Sequence, residues 1–118
     1  MIDLLIRGAS VVDGSGAAPF SADVGIVGDR IVVVGRADAT PAREEFDATG
    51  LLLTPGLSDP HSHSDWSILG NRDALSTVHQ GVTTEVVGNC GVTYAPIAAG
   101  DEGTARRALA AFGYEGEV

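Results

Sequence analysis

The break at Pro55-Gly56 constrains this chain more than any other feature, because the residue pattern changes across it. Ahead of it, apolar segments are short, rich in Val and Ile, and punctuated by Gly and Asp, as β-strands joined by tight turns are. Strands are expected over residues 2–12, 23–27, 31–34 and 46–53. The first closes at Asp13-Gly14-Ser15-Gly16, Gly28-Asp29-Arg30 makes a short hairpin connection, and Thr49-Gly50 turns within the last. Beyond the break the expected order is strand (57–63), helix (73–80) and strand (83–87), with Gly81 suited to the left-handed position that ends the helix. A parallel βαβ unit is the expected result. A second helix, capped by Asp101, is expected to run to about Phe112 and stop at Gly113. The division is therefore a β-rich segment at 1–54 and an α/β segment at 55–118.

Composition narrows the function classes. With 44% hydrophobic and 19% charged residues the chain should bury a core. Its 118 residues fall below the roughly 200 that even a lean (β/α)8 barrel needs. Seven basic against 16 acidic residues leave a net charge of −9, which repels phosphate backbones and argues against nucleic acid as a partner. Cys90 is the single cysteine, so no internal disulfide can form and a reducing cytoplasm is expected. The start lacks a basic region followed by a long apolar one, and no apolar stretch approaches ~18 residues, so neither export nor a membrane partner is expected. Oligomeric state is not legible in these residues.

Chemistry concentrates after the break. His61 and His63 stand two apart at the end of an expected strand, where alternation points both imidazoles to one face and lets them share a metal. Taken alone, the pair is as well explained by two surface or hydrogen-bonded histidines. Asp59 and Asp65 share their parity and could orient an imidazole, although solvated strand-end carboxylates are the stronger reading. Pro60 has no amide hydrogen to donate, which places it near the strand's end. A lone cysteine is ordinarily a small buried apolar residue. A thiolate after the second strand could nevertheless reach a site occupied by the two imidazoles, and zinc accepts both kinds of donor. His79 reads as a surface residue, and Trp66 either walls a pocket or packs.

The stretch Thr54-Pro55-Gly56-Leu57-Ser58-Asp59-Pro60-His61-Ser62-His63 resembles the amidohydrolase superfamily, and the likeness covers residues 1–97. A second stretch, His79-Gln80-Gly81-Val82-Thr83-Thr84-Glu85-Val86-Val87-Gly88-Asn89-Cys90-Gly91, resembles the surroundings of the metal-binding cysteine in N-acyl-D-amino-acid deacylases, also called D-aminoacylases. The resemblance implies an α/β fold: part of a small β-sandwich over 1–54, then the first βαβ unit of a TIM-like barrel over 55–118, the barrel being incomplete. It implies zinc as cofactor, His61, His63 and Cys90 as metal ligands, and a small-molecule N-acyl-D-amino acid cleaved to a carboxylate and a D-amino acid. Two further histidines and the carboxylate that moves the proton are then expected beyond Val118, so this length of chain is expected to be inactive alone. One alternative is an amidohydrolase of cyclic amides, like the dihydropyrimidinases and dihydroorotases, which use a bridging carbamylated lysine. All seven basic residues here are Arg, but that lysine would fall downstream in any case. The other alternative is a non-catalytic fragment or interaction module. Cys90 favours the deacylase.

Overall fold

Strand β1, Ile2–Val11, buries Ile2, Leu5, Ala9 and Val11 along its length and is the centre of the first sheet. In this computed structural model, which describes residues 1–116, the chain divides into two compact units, Met1–Pro55 and Gly56 onward. The fold is mixed α/β. In the first unit β2, Phe20–Val27, pairs antiparallel with β1, and β3, Arg30–Gly35, pairs antiparallel with β2. On its other edge β1 meets two strands in succession, both parallel to it: β4, Ala42–Asp47, along Ile2 to Arg7, and β5, Leu52–Leu53, at Ser10 and Val11. One face packs Ala9, Val11, Ala22, Val24 and Ala48, with Ile6 and Leu53 against them; another cluster joins Ile2, Leu5 and Ala37. Leu5 is fully buried, which contributes about 2 kcal/mol by the area it removes from water.

The expected strand at 46–53 is corrected here to two strands, the first beginning at Ala42 and both flanking the turn at Thr49-Gly50. Arg43, Glu44 and Glu45 hid β4 because they are not strand formers. At a sheet edge their charges reach water, and Glu45 takes a two-pronged ion pair from Arg7 on β1 at 2.7 and 2.8 Å. That hydrogen bond holds the Glu45 carboxyl below its ordinary pKa. Asp23 on β2 is held low as well, first by the amide of Gly8 and then by that of Ala37, each at 2.9 Å, with Arg7 adding attraction.

The second unit begins with β6, Leu57–Asp59, crosses over through the short helix α1, Leu75–Val78, and returns as β7, Val82–Glu85, parallel to β6. The order is the expected one, with shorter elements. Strand β6 stops at Asp59 instead of reaching His63, because Pro60 offers no donor and the Asp59 carboxylate accepts the His61 amide at 2.9 Å, closing a turn. Helix α1 starts two residues after Asp73, since Ala74 sits in a left-handed conformation (φ +45°) that cannot continue a helix. It ends before Gly81, at φ +79°. Helix α2, Glu102–Ala110, finishes in a Schellman arrangement, the amides of Gly113 and Tyr114 returning to the carbonyls of Ala110 and Leu109. At its start the Asp101 side chain makes no capping bond; the Glu102 carboxylate accepts the Gly100 amide instead. Among the described residues no helix is long and apolar enough to cross a membrane.

Candidate metal centre

Strands β6 and β7 end level, with Asp59 opposite Glu85, so the loops that leave them start side by side. Backbone pairing continues past the strand ends. The Val86 amide donates to the Asp59 carbonyl and the Ser62 amide to the Val86 carbonyl, both at 2.9 Å. From β7 the Asn89 side-chain amide donates to the carbonyls of Val86, at 2.7 Å, and Ser62, at 3.3 Å. The Glu85 carboxylate receives the hydroxyls of Ser62 at 2.9 Å and Ser64 at 2.7 Å. Polar bonds thereby tie the two loops to each other close to the strand ends.

This frame brings together His61, His63 and Cys90, whose donor atoms all lie within 4.8 Å of one another. The imidazoles stand edge to face with centroids 5.5 Å apart, and Cys90 Sγ is 3.3 Å from His61 Nε2. All three side chains are exposed. Two nitrogens and a sulfur suit a borderline-soft divalent ion. In a tetrahedral zinc site, with nitrogen at ~2.0–2.1 Å and sulfur at ~2.3 Å, the nitrogen-to-sulfur edge is about 3.5 Å, close to the His61–Cys90 separation. The donor set fits the ion.

Cys90 is held in a left-handed conformation (φ +60°, ψ +13°), between Gly88 at φ +78° and Gly91 at +67°. An L residue there is strained, and such positions cluster at functional sites. The Gly-Asn-Cys-Gly loop thus doubles back immediately after β7, turning the thiol toward the imidazoles.

Other expectations come out differently. The histidines converge although they lie in a loop, so strand alternation is not what aims them; the turn at Asp59 and the ties from β7 are. Asp59 spends one oxygen on the His61 amide instead of an imidazole. Asp65 is 8% exposed, and neither carboxylate oxygen has a hydrogen-bond partner among the described residues. Trp66 both packs and walls: it stacks on Phe112 at 5.2 Å, meets Tyr94 edge to face at 5.7 Å, and lines a cavity of about 360 Å³ with Tyr94, Pro96, Ile97 and Asp101. None of the three donors lines that cavity. His79 is exposed at the end of α1. Sequence reading passed over Glu85, Ser62, Ser64 and Asn89. A carboxylate closing the β-branched run Val82-Thr83-Thr84, level with the loop that carries the histidines, was the available signal.

Fold and donor set define a class, a mixed α/β protein whose parallel strand pair presents a nitrogen and sulfur cluster able to hold a metal ion. Residues 44–117 match the amidohydrolase family, and the chain belongs to that family. It is 43% identical to a D-aminoacylase of Alcaligenes xylosoxydans xylosoxydans over 96 residues, 81% of this chain and 20% of that enzyme. A D-aminoacylase structure concerned with a binuclear metal centre superposes with a TM-score of 0.79 at 42% identity, covering 86% of this chain and 22% of the other. The N-acyl-D-glutamate deacylase of Bordetella bronchiseptica, solved with zinc and a phosphonate mimic of the tetrahedral intermediate, gives a TM-score of 0.77 at 40% identity over 85% and 21%. The chain therefore spans about a fifth of the length of these relatives.

Proposed function

We propose that this chain is the metal-binding amino-terminal part of an N-acyl-D-amino-acid deacylase, a zinc-dependent hydrolase of linear amides that yields a carboxylate and a D-amino acid. In this reading residues 1–54 contribute to a small β-sandwich and residues 55–118 open a TIM-like barrel, with His61, His63 and Cys90 as metal ligands. The observation that carries it is the meeting of two imidazoles and a thiol within 4.8 Å, past the ends of two parallel strands. The D-aminoacylase and N-acyl-D-glutamate deacylase relatives, the latter solved with zinc, support the ion and the substrate class. When bound, zinc supplies Lewis acidity, lowering the pKa of water toward neutrality and polarising an acyl carbonyl. The residues of this chain hold the ion; the Cys90 thiolate offsets part of its charge, and the loop ties keep the donors in place. A cytoplasmic setting, which keeps the thiol reduced, completes the reading.

The test uses a zinc-loaded form of the protein extended to the length of its relatives. N-acetyl-D-amino acids, their L enantiomers, a hydantoin and a dihydropyrimidine are compared as substrates. Release of D-amino acid is expected to dominate, and His61→Ala is expected to lower zinc content and turnover together. Preference for a cyclic amide would overturn the deacylase reading.

A further inference from the structure

We infer that Glu85 is a positioning residue of the metal centre, acting on His63 through the two serines that flank it. This role rests on the reading of His61, His63 and Cys90 as metal ligands. His63 lies in a loop between Ser62 and Ser64, and one carboxylate from the neighbouring strand receives both hydroxyls, at 2.9 and 2.7 Å. The Ser62 hydroxyl in turn receives the Ser64 amide at 3.1 Å, so the clamp spans the backbone on either side of the histidine. His61 and Cys90 have ties of their own, through the Asp59 carboxylate to the His61 amide and through the Asn89 side chain to the carbonyls of Ser62 and Val86. Among the described residues, the Glu85 clamp is the one hydrogen-bonded tie from the segment just after His63 to β7. Glu85 is half-buried, where hydrogen bonds to a charged acceptor are stronger than neutral ones.

Without the carboxylate, Ser62 and Ser64 lose their shared acceptor and the His63 backbone gains freedom that metal binding must remove again. Partners that orient ligands without touching the ion typically change metal affinity 10–100-fold. A carboxylate could also act through its charge alone, by attracting a cation. The two routes separate in a double-mutant cycle, because a residue working through the serines has nothing left to do once they are gone.

The experiment titrates the full chain with cobalt(II), following the thiolate-to-cobalt band and the ligand-field bands, for the unmodified protein, Glu85→Ala, Glu85→Gln, Ser62→Ala/Ser64→Ala and the triple variant. Glu85→Ala is expected to weaken cobalt binding at least tenfold and to change the ligand-field bands even at saturation, which a loss of fold stability alone would not do. Glu85→Gln, which can still bond both hydroxyls, is expected to keep most of the affinity. The triple variant should match the double serine variant. A saturated Glu85→Ala spectrum identical to the parent's, or a full further tenfold loss on adding Glu85→Ala to the serine pair, would overturn the role. If the unmodified chain develops no thiolate-to-cobalt band, the metal centre itself is wrong and this role falls with it.

Discussion

Replacing Cys90 by glycine and by alanine separates the chemistry of the thiol from the cost of holding it. Cys90 is exposed and its backbone is left-handed, at φ +60° and ψ +13°. Truncation of this exposed thiol to alanine removes little buried surface and leaves the strain, so it should change stability by no more than ~0.5 kcal/mol. Glycine removes the strain, roughly 1–2 kcal/mol for an L residue in that region. Against this stands the greater freedom of glycine in the unfolded chain, roughly 0.4–1 kcal/mol. The balance favours glycine by about 0.5–1 kcal/mol, whereas at an ordinary φ it would disfavour glycine. The assay is urea unfolding of both variants in the presence of a chelator, so that metal plays no part. A Cys90→Gly protein less stable than Cys90→Ala would refute the reasoning. The predicted order would mean that this position holds a cysteine at a cost in stability, as a site shaped by chemistry does.

Gly56 precedes β6, and a Cβ there would overlap the Thr83 side chain, coming within 2.8 Å of its Cβ. Gly56→Ala should therefore destabilise the second unit by about 1–3 kcal/mol, and thermal unfolding should show part of this recovered on adding Thr83→Ala. In the first unit Glu45 and Asp23 have folded pKa values below their ordinary ones. A depressed folded pKa contributes stability that is fully present above the ordinary carboxylate range, about pH 4, and is lost as pH falls through the folded value. Urea unfolding across pH 2–6 should show this acid loss, and Asp23→Asn should be less stable at neutral pH with a shallower fall below about pH 4. An unchanged slope would remove Asp23 from the acid response.

Much of this architecture is legible in residue order. The Gly and Asp punctuation marks the turns of the first sheet, and Gly81 and Gly113 mark where α1 and α2 end. Legibility fails where polar bonding overrides apolar pattern. Strand β4 is charged because it lies at an edge, and β6 is cut short by Pro60 and by a side chain that bonds the next turn's backbone. Helix α1 shrinks to four residues because Ala74 takes a left-handed conformation that alanine does not advertise. The three candidate donors could be named from the H-x-H pair and the cysteine. Their convergence depends on the Glu85 clamp and the Asn89 ties, which join residues 21 to 27 positions apart that no local pattern links.

The central claim, that His61, His63 and Cys90 together hold a metal ion, is tested most directly by zinc-edge X-ray absorption on the zinc-loaded chain. One sulfur is expected at about 2.3 Å and nitrogen or oxygen at about 2.0–2.1 Å. Cys90 is the single cysteine of the chain, so a thiolate signal can come from nowhere else within it. The sulfur shell should vanish in Cys90→Ser, and the nitrogen signature of imidazole should diminish in His63→Ala. A shell of oxygen and nitrogen alone in the unmodified chain, with the thiol still freely alkylated under excess zinc, would contradict the claim.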